Sequence, residues 1–487
     1  MKTRNSQIPA EAKKIYLMAI CGTGMGSLAG MLKEKGFDVS GSDNNVYPPM
    51  SDELREQGIA ILTPFSVENI KNIKPDLVIV GNAITKNNPE AQYILEEDIP
   101  YVTMPEALQY FFFKEKEVIA VTGTHGKTTT TAIMAHLLTE MGADPSFLVG
   151  GVAKNQKRNF RLGQGKYFII EGDEYDTAFF EKTPKFLHYN PKHVIATSLE
   201  FDHADIYNNV EEIEEAFSQL FDKIPTNGSL HFSATYPCLE KVAKSKMGQI
   251  AYFMRRYGTD VPVWQITHFQ ATKIGSIFDI SVNEKTIVHV ESPLAGLYNA
   301  ENVAACFSVL ERLGFSLIEA VNALKSFEGV KRRQEILYED EQWIVIDDFA
   351  HHPTAVKETI QAIKDKYPNY QLISVFEPRS NTTRRNLFQA DYAKSFLHSD
   401  VSLIAPVDQP EKVVDGEVLD IKQIVDFLKQ KEQKAFAPNS LNAIPQLILD
   451  HSKQPTVVLF MSNGGFGGIQ NRFIDKIAQH DKGQLNS

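Results

Sequence analysis

Between an apolar run and a stretch of helix formers the chain carries Thr122-Gly-Thr-His-Gly-Lys-Thr-Thr-Thr130. In a strand-to-helix turn of this kind, backbone N–H groups and the helix N-terminus cradle phosphate oxygens. A lysine adds a point charge, and the next hydroxyl reaches Mg²⁺. Gly123, Thr124, His125, Gly126 and Thr129 are the expected cradle, Lys127 the expected charge and Thr128 the expected metal hydroxyl. The general pattern asks for glycine at position 121, which holds Val121; Gly123 is the nearest substitute. A plain glycine turn with a solvated lysine is the bland alternative, and the strand and helix flanks argue against it.

Two acidic runs follow at strand ends: Glu171-Gly-Asp-Glu-Tyr-Asp176 after Tyr167 to Ile170, and Glu200-Phe-Asp-His-Ala-Asp205 after Val194 to Thr197. Carboxylates at the C-terminal ends of parallel strands project into the crevice where α/β proteins bind ligands, and hard oxygens suit Mg²⁺. One such run alone reads as solvated surface; two beside a phosphate loop read as a site. An earlier cluster, Gly22-Thr23-Gly24-Met25-Gly26, with Asp43 about twenty residues on, looks like a dinucleotide fingerprint without the G-x-G-x-x-G spacing. It fits either a tight turn or a backbone cradle for a nucleotide diphosphate.

The elements that must position these residues alternate between strand and helix. Ile15 to Ile20, the glycine cluster, a helical stretch to Lys35 and Phe37 to Ser40 form a first βα series, continued by Asp76 to Gly81 and Ile99 to Thr103. Lys116 opens a second series, with a strand to Thr122, a helix from Thr129 to Glu140, and a further helix from about Asn299 to Leu313. Trp343 to Asp347 opens a third, continued by Leu372 to Phe376, Val401 to Ile404 and Thr456 to Phe460. Such alternation predicts parallel sheets. Boundaries are expected near residue 114 and near Gly329, giving domains 1–113, 114–329 and 330–487.

At 487 residues the chain exceeds one ordinary core. Its net charge of −11 argues against general nucleic-acid binding while leaving room for local basic pockets. The apolar runs are strand-sized and the N-terminus is polar, so no membrane span or secretory leader is expected. Cys21, Cys238 and Cys306 show no ligand spacing and read as reduced thiols of a cytoplasmic protein.

The phosphate loop, the Glu171 segment, the Asp202-His203 pair, Leu297-Tyr-Asn-Ala-Glu-Asn302 and Asp347-Asp-Phe-Ala-His-His-Pro353 stand in the order seen in Mur ligases. Nearly the whole chain resembles that family. The resemblance implies an α/β protein of three domains: a Rossmann-like N-terminal domain holding a UDP-sugar, a central P-loop ATPase-type parallel sheet, and a Rossmann-like C-terminal domain that closes on an amine substrate. It implies ATP and Mg²⁺, with Lys127 on the β/γ-phosphates, Thr128 and Glu174 on the metal, and His203 ligating or orienting a second metal. Asn299 and Asn302 would meet adenine, and Arg332 or Arg333 with Asp347 would approach the nucleotide; the arginines are otherwise a solvated linker pair. Gly22 to Gly26, Asp43 and His352 would serve the UDP-sugar. His351 and His352 face different ways if they lie on a helix or strand, so one of them is expected at the site and the other in the packing. Other members carry a carbamylated lysine about fifteen residues past the histidine of the Asp-His pair. That position lies near Ser218, and no lysine intervenes before Lys223.

Within the family, the glycine cluster and Asp347 to Pro353 point to the branch acting on bare UDP-N-acetylmuramate. Glu171 to Phe180, Phe376-Glu-Pro-Arg-Ser-Asn381 and Met461 to Gly468 depart from the member that adds L-alanine. They resemble the branch that attaches a murein tripeptide, L-alanyl-γ-D-glutamyl-meso-diaminopimelate, in cell-wall recycling. Arg379 is then the expected grip on a tripeptide carboxylate, supported by Ser380 and Asn381. The nearer alternative is L-alanine as the amine. The alternative of another class is a non-catalytic UDP-sugar or nucleotide-binding regulator, against which the complete phosphoryl-transfer set of Lys127, Thr128, Glu174 and His203 argues.

Overall fold

A strand that is apolar at every position must cover both faces, and parallel sheets flanked by helices are where such strands occur. The computed structural model, which describes residues 6–48, 50–204, 206–244, 250–254, 263–282, 285–414, 416–453 and 455–484, contains such sheets in each βα series. The chain divides into two compact units: Met1–Leu199 with Val210–Phe253 and Ala305–Phe315, and Glu200–Asn209 with Met254–Ala304 and Ser316–Ser487.

The first unit contains two sheets. Strands β1 (Lys14–Met18), β2 (Asp38–Ser42), β3 (Ala60–Leu62), β4 (Leu77–Val80) and β5 (Tyr101–Thr103) are all parallel in the order β3-β2-β1-β4-β5. Their core includes Tyr16, Met18, Val78, Val80, Ala91 and Ile94. Glu90 is fully buried there, and its carboxylate accepts from Tyr16 OH, Ser42 Oγ, Ser66 N and Asn69 Nδ2 at 2.6–3.0 Å. After β5, Thr103 and Glu106 close a capping box. The helix then loosens into a π turn, Gln109–Phe113, which leads to the second sheet.

That sheet is built on β6 (Glu117–Thr122), β7 (Ser146–Ala153), β8 (Arg158–Arg161) and β9 (Tyr167–Glu171). The hairpin strands β10 (Asp176–Ala178) and β11 (Glu181–Pro184) form a small sheet of their own, and β12 (His193–Ala196), β13 (Ser229–Ser233) and β14 (Ile250–Met254) complete the main one. Within this unit the order is β14-β13-β12-β6-β9-β7-β8, parallel except for β8. A row of buried polar groups crosses it. His193 Nδ1 and Ser229 Oγ lie 2.7 Å apart, as do Ser229 Oγ and His231 Nε2, and His231 Nδ1 and Ser308 Oγ. Ser308 Oγ donates to the Ala305 carbonyl on the helix Leu297–Arg312 (2.8 Å). Burial pushes His193 down to about 4 and His231 to about 3.

The second unit contains an antiparallel meander, β15 (Val263–Thr272), β16 (Gly275–Val282) and β17 (Lys285–Ser292). Its large sheet comprises β18 (Glu335–Glu339), β19 (Trp343–Asp348), β20 (Gln371–Phe376), β21 (Val401–Ile404), β22 (Lys434–Phe436) and β23 (Thr456–Met461). The order is β18-β19-β23-β20-β21-β22, with only β18 antiparallel. Alternate residues of one strand enter opposite cores, Ile344 and Ile346 with Leu459 on one face, and Val345 with Val458 and Phe460 on the other. Side chains that point alternately up and down a covered sheet require this pattern.

All three cysteines are free. Among the described residues no helix is long and apolar enough to cross a membrane.

Candidate functional site

The phosphate-loop sequence occupies the C-terminal end of β6 and the start of a helix that begins at Lys127, two residues earlier than the sequence pattern predicts. Gly123 has φ +132°, and a Cβ there would run into Thr197 Oγ1 and Ser198 N; the position requires glycine on both counts. Gly126, at φ +79°, is the N-cap. The loop is held from behind: His125 N donates to Ser198 Oγ (2.7 Å), Thr124 N to Ser198 O (3.3 Å), and Thr197 Oγ1 to Thr122 O (3.0 Å) and to His125 O. The sequence reading assigns Thr197 no role beyond ending the strand and does not single out Ser198. Their signal was the polar pair that follows the apolar strand Val194 to Ala196.

Lys127 Nζ lies 2.8 Å from Glu174 Oε2, both side chains largely withdrawn from solvent. Burial alone would lower the Lys127 pKa, but Glu174, Asp173 and Glu171 raise it above the ordinary lysine value, so the ammonium stays charged. Thr128 Oγ1 donates to Glu171 Oε1 (3.1 Å), whose other oxygen accepts from Gly150 N (2.8 Å). Asp173 pairs with Lys185 (2.7 Å); burial opposes its charge, yet Lys185 and Lys127 hold it at about 2. The acidic run thus folds back as the turn into the β10–β11 hairpin, and Phe179 and Phe180 at its tip pack on the core of the first sheet. Thr128, Glu171 and Glu174 offer the hard-oxygen set that Mg²⁺ prefers. Thr129, beside Thr128, is buried.

The glycine cluster is more helix than turn. The helix Thr23–Glu34 starts inside it, with Gly22 as N-cap, so Gly24, Met25 and Gly26 lie in its first turn. A Cβ at Gly26 would run into the Met50 thioether. Asp43 is buried, its oxygens accepting from Cys21 N (3.0 Å) and Asn45 N (2.8 Å); it fixes the turn next to the cluster.

In the second unit, Asp202 Oδ1 accepts from His203 N (2.7 Å) and Thr382 Oγ1 (2.8 Å), and Oδ2 lies 3.9 Å from His351 Nε2. Burial works against this carboxylate, but His203, His351 and His352 hold its pKa well below the usual range. His203 has φ +56°, the left-handed region. Asp205 lies outside the described residues. His351 and His352 lie in the loop before the helix Pro353–Lys366, so the alternation of helix or strand faces does not apply to them. Capping decides instead. Buried His352 is the N-cap, its Nδ1 accepting from Thr354 N (3.4 Å) and its Nε2 lying 3.3 Å from Phe201 O, while half-buried His351 turns toward Asp202.

At the C-terminal ends of β19, β20 and β23, Arg332 Nε donates to Asp347 Oδ2 (3.1 Å) and Nη2 to the carbonyls of Ser462 (2.6 Å) and Gly464. Arg333 lies 4.6 Å over the Phe349 ring. Burial raises the Asp347 pKa against Arg332 and Gln470. Arg379 Nε is 3.5 Å from Asp408 Oδ2, which buried Arg384 also approaches at 3.3 Å. Ser380 Oγ accepts from Thr383 N (3.0 Å), and exposed Asn381 accepts from Arg384 (3.2 Å). Glu377 is buried, with its carboxyl pushed up by burial despite the Ser462 hydroxyl 2.5 Å away. Glu377 stands inside the Phe376 to Asn381 segment but was given no role there, and Asp408 escaped altogether, because nothing in its local sequence marks it. Asn299 and Asn302 are buried one helical turn apart and bonded to each other (3.2 Å).

Family models match three stretches: "Mur ligase family, catalytic domain" at 14–114, "Mur ligase middle domain" at 121–310 and "Mur ligase, glutamate ligase domain" at 332–464. The UDP-N-acetylmuramate–L-alanyl-γ-D-glutamyl-meso-2,6-diaminoheptandioate ligase of Haemophilus influenzae is 36% identical over 466 residues, 96% of this chain and 99% of the relative. The crystal structure of a murein peptide ligase from Psychrobacter arcticus has a TM-score of 0.68 at 32% identity, covering 95% of this chain and 98% of that one. That of a UDP-N-acetylmuramate–alanine ligase from Thermotoga maritima has a TM-score of 0.78 at 26% identity, covering 96% and 99%.

Proposed function

The chain belongs to the Mur ligase family, and from that premise we propose that it joins L-alanyl-γ-D-glutamyl-meso-diaminopimelate to UDP-N-acetylmuramate at the expense of ATP. The observation that carries this choice of amine is the 36% identity, over nearly both full lengths, to a ligase whose name states that reaction. The higher TM-score of the alanine ligase measures Cα agreement over a fold that both enzymes share, and it does not choose between amines.

The chemistry runs in two displacements. A muramate carboxylate oxygen attacks the γ-phosphorus, the bond to ADP breaks, and an acyl phosphate forms. The tripeptide α-amine, made neutral by giving a proton to water, then attacks the acyl carbon; phosphate leaves, and the second nitrogen proton passes to solvent as the amide forms. Positioning and charge neutralisation supply most of the catalysis for such transfers. In this proposal the cradle Gly123 to Thr129 seats the phosphates, and Lys127 exchanges Glu174 for the β/γ-oxygens. Thr128 and Glu174, with Glu171 beside them, hold Mg²⁺, which neutralises charge on the transferring group. His203 serves a second metal, Asn299 and Asn302 meet adenine, and Arg332, Arg333 and Asp347 meet the nucleotide from the C-terminal side. Gly22 to Gly26, Asp43 and His352 belong to the UDP-sugar side, with Asp43 acting by shaping the turn. Domains of 1–113, 114–329 and 330–487 and a cytoplasmic setting, where ATP is, complete the proposal.

The test is an amine panel with ATP and UDP-N-acetylmuramate, read as phosphate release. Tripeptide should be the preferred amine; preference for L-alanine would overturn the branch, and no amine-dependent release would favour the regulator. Arg379→Lys and Arg379→Ala should each lose about tenfold or more in kcat/KM for tripeptide with unchanged ATP affinity. Equal efficiency in all three proteins would remove Arg379 from the amine site.

A further inference from the structure

The first unit has a second edge, where its strands begin. Lys35 follows the helix Thr23–Glu34, Lys116 precedes β6 and Lys166 precedes β9. Two neighbouring concavities open there, of about 460 and 640 Å³, sharing Lys35, Phe111, Phe112, Glu115 and Lys116. The first is also lined by Phe37, Tyr110 and Lys114. At about 3.3 Å per residue, the length of β6 separates this edge from the phosphate loop by roughly 20 Å.

Its charge runs against that of the protein. In a chain of net charge −11, the smaller cavity gathers Lys35, Lys114 and Lys116 against Glu115 alone. Lys35 donates to the Phe111 carbonyl, and Lys116 to those of Gly163 (3.0 Å) and Gly165; Lys114 lies 3.9 Å over the Tyr110 ring. Dipoles and a π face hold the ammonium groups in place without neutralising them. Partial desolvation, with Lys114 and Lys116 set against Glu115, lowers the Lys35 pKa. Between the lysines the wall is aromatic, with Phe37 and Phe111 edge to face at 5.1 Å and Lys35 5.1 Å over Phe112.

A bare anion would use the lysines and leave the rings wet, while an apolar molecule would desolvate the lysines without compensation. A flat ring carrying phosphate satisfies both, and the volume lies within the ~300–1,000 Å³ of small-molecule sites. The cavity also abuts the π turn Gln109–Phe113, a distortion found frequently at functional positions. We propose that this edge is a second ligand site, for a molecule of the mononucleotide class, with phosphate on Lys35, Lys114 and Lys116 and the base against Phe37, Tyr110 and Phe112.

Guanosine monophosphate is the probe, because none of the three proposed substrates contains guanine. Calorimetric titration of the full chain should show binding that weakens about tenfold in Lys35→Gln/Lys114→Gln, while ligase turnover without the probe is unchanged. Lys114→Glu, on an exposed side chain, should weaken it in the same direction with no risk to the fold. Inorganic phosphate should bind at least about tenfold more weakly than the nucleotide. Equal nucleotide affinity in parent and variants, or no binding to the parent at millimolar concentration, would overturn the site. Equal affinity for phosphate and nucleotide would overturn the nucleotide class.

Discussion

The two edges of the first unit use the same side chain in opposite ways. Where the strands end, Lys127 is 13% exposed and sits against a glutamate that is 3% exposed. Where they begin, Lys35 and Lys114 are exposed, and Glu115 is the one carboxylate in the smaller cavity they line. A buried ion pair has both charges desolvated, so each partner is costly to remove and its geometry is fixed. Exposed like charges are screened and cheap to change, but they raise the local potential for an arriving anion. The first arrangement suits a group that must stand in one place while a bond is made; the second suits attraction.

The largest effect follows from this difference. Lys127→Met should cut ligation by about a thousandfold, because the charge on the transferring phosphoryl group is lost. It should also cost ~3–5 kcal/mol of stability by stranding Glu174. The double variant Lys127→Met/Glu174→Gln should recover most of that stability and none of the activity, measured by thermal unfolding and turnover. Recovery of activity would show that Lys127 is structural. Glu174→Ala comes next, with about a hundredfold loss and a raised Mg²⁺ requirement; a Mg²⁺ titration superimposable on the parent's would move Glu174 out of the metal site.

Acid should act at the polar row. His193 and His231 have folded pKa values of about 4 and 3 against about 6.5 unfolded, so the unfolded state gains their protons first. Stability is therefore intact above pH 6.5 and falls as pH drops toward 4, by about 2 kcal/mol per histidine at pH 5. Unfolding midpoints between pH 7 and 5 should show this slope, and His193→Gln should flatten it; an unchanged slope would place the acid sensitivity elsewhere. The smallest effect is that of Arg158→Ala, which breaks an exposed pair with Glu34 at 2.7 Å and should change stability by under about 1 kcal/mol. A larger loss would mean that the exposed lysines of this edge are not cheap either.

The parallel strands were legible because each writes a short apolar run between helix formers. β1, β4, β6, β19, β20 and β23 lie within a residue or two of where those runs place them. The phosphate loop was legible for the same reason, its motif being contiguous. The meander β15 to β17 escaped: its strands interleave polar residues such as Gln265, Thr267 and Asp279, and only their pairing identifies them. The β10–β11 hairpin was hidden inside the acidic run, since Asp173 and Asp176 find their lysines, Lys185 and Lys182, only once the chain has turned back. Side chains that support the loop from β12, such as Ser198, lie more than seventy residues from it, where spacing carries no signal.

The buried row of His193, Ser229, His231 and Ser308 has a direction. The Ser308 hydroxyl spends its only proton on the Ala305 carbonyl, so its oxygen must accept from His231 Nδ1. A neutral imidazole has one N–H, which leaves His231 Nε2 bare to accept from Ser229. Ser229, its proton committed, accepts in turn from His193 Nδ1, and His193 Nε2 ends the row as a buried lone pair with no hydrogen-bond partner among the described residues. One peptide carbonyl thereby sets the tautomer of two rings in different strands. Both nitrogens of His231 are engaged, whereas among the described residues none bonds to His193 Nε2, so a proton added there requires no other proton of the row to move. Burial is the main reason both rings are poor bases, and the neighbouring His193 ring lowers His231 further, so His193 is the more basic of the two.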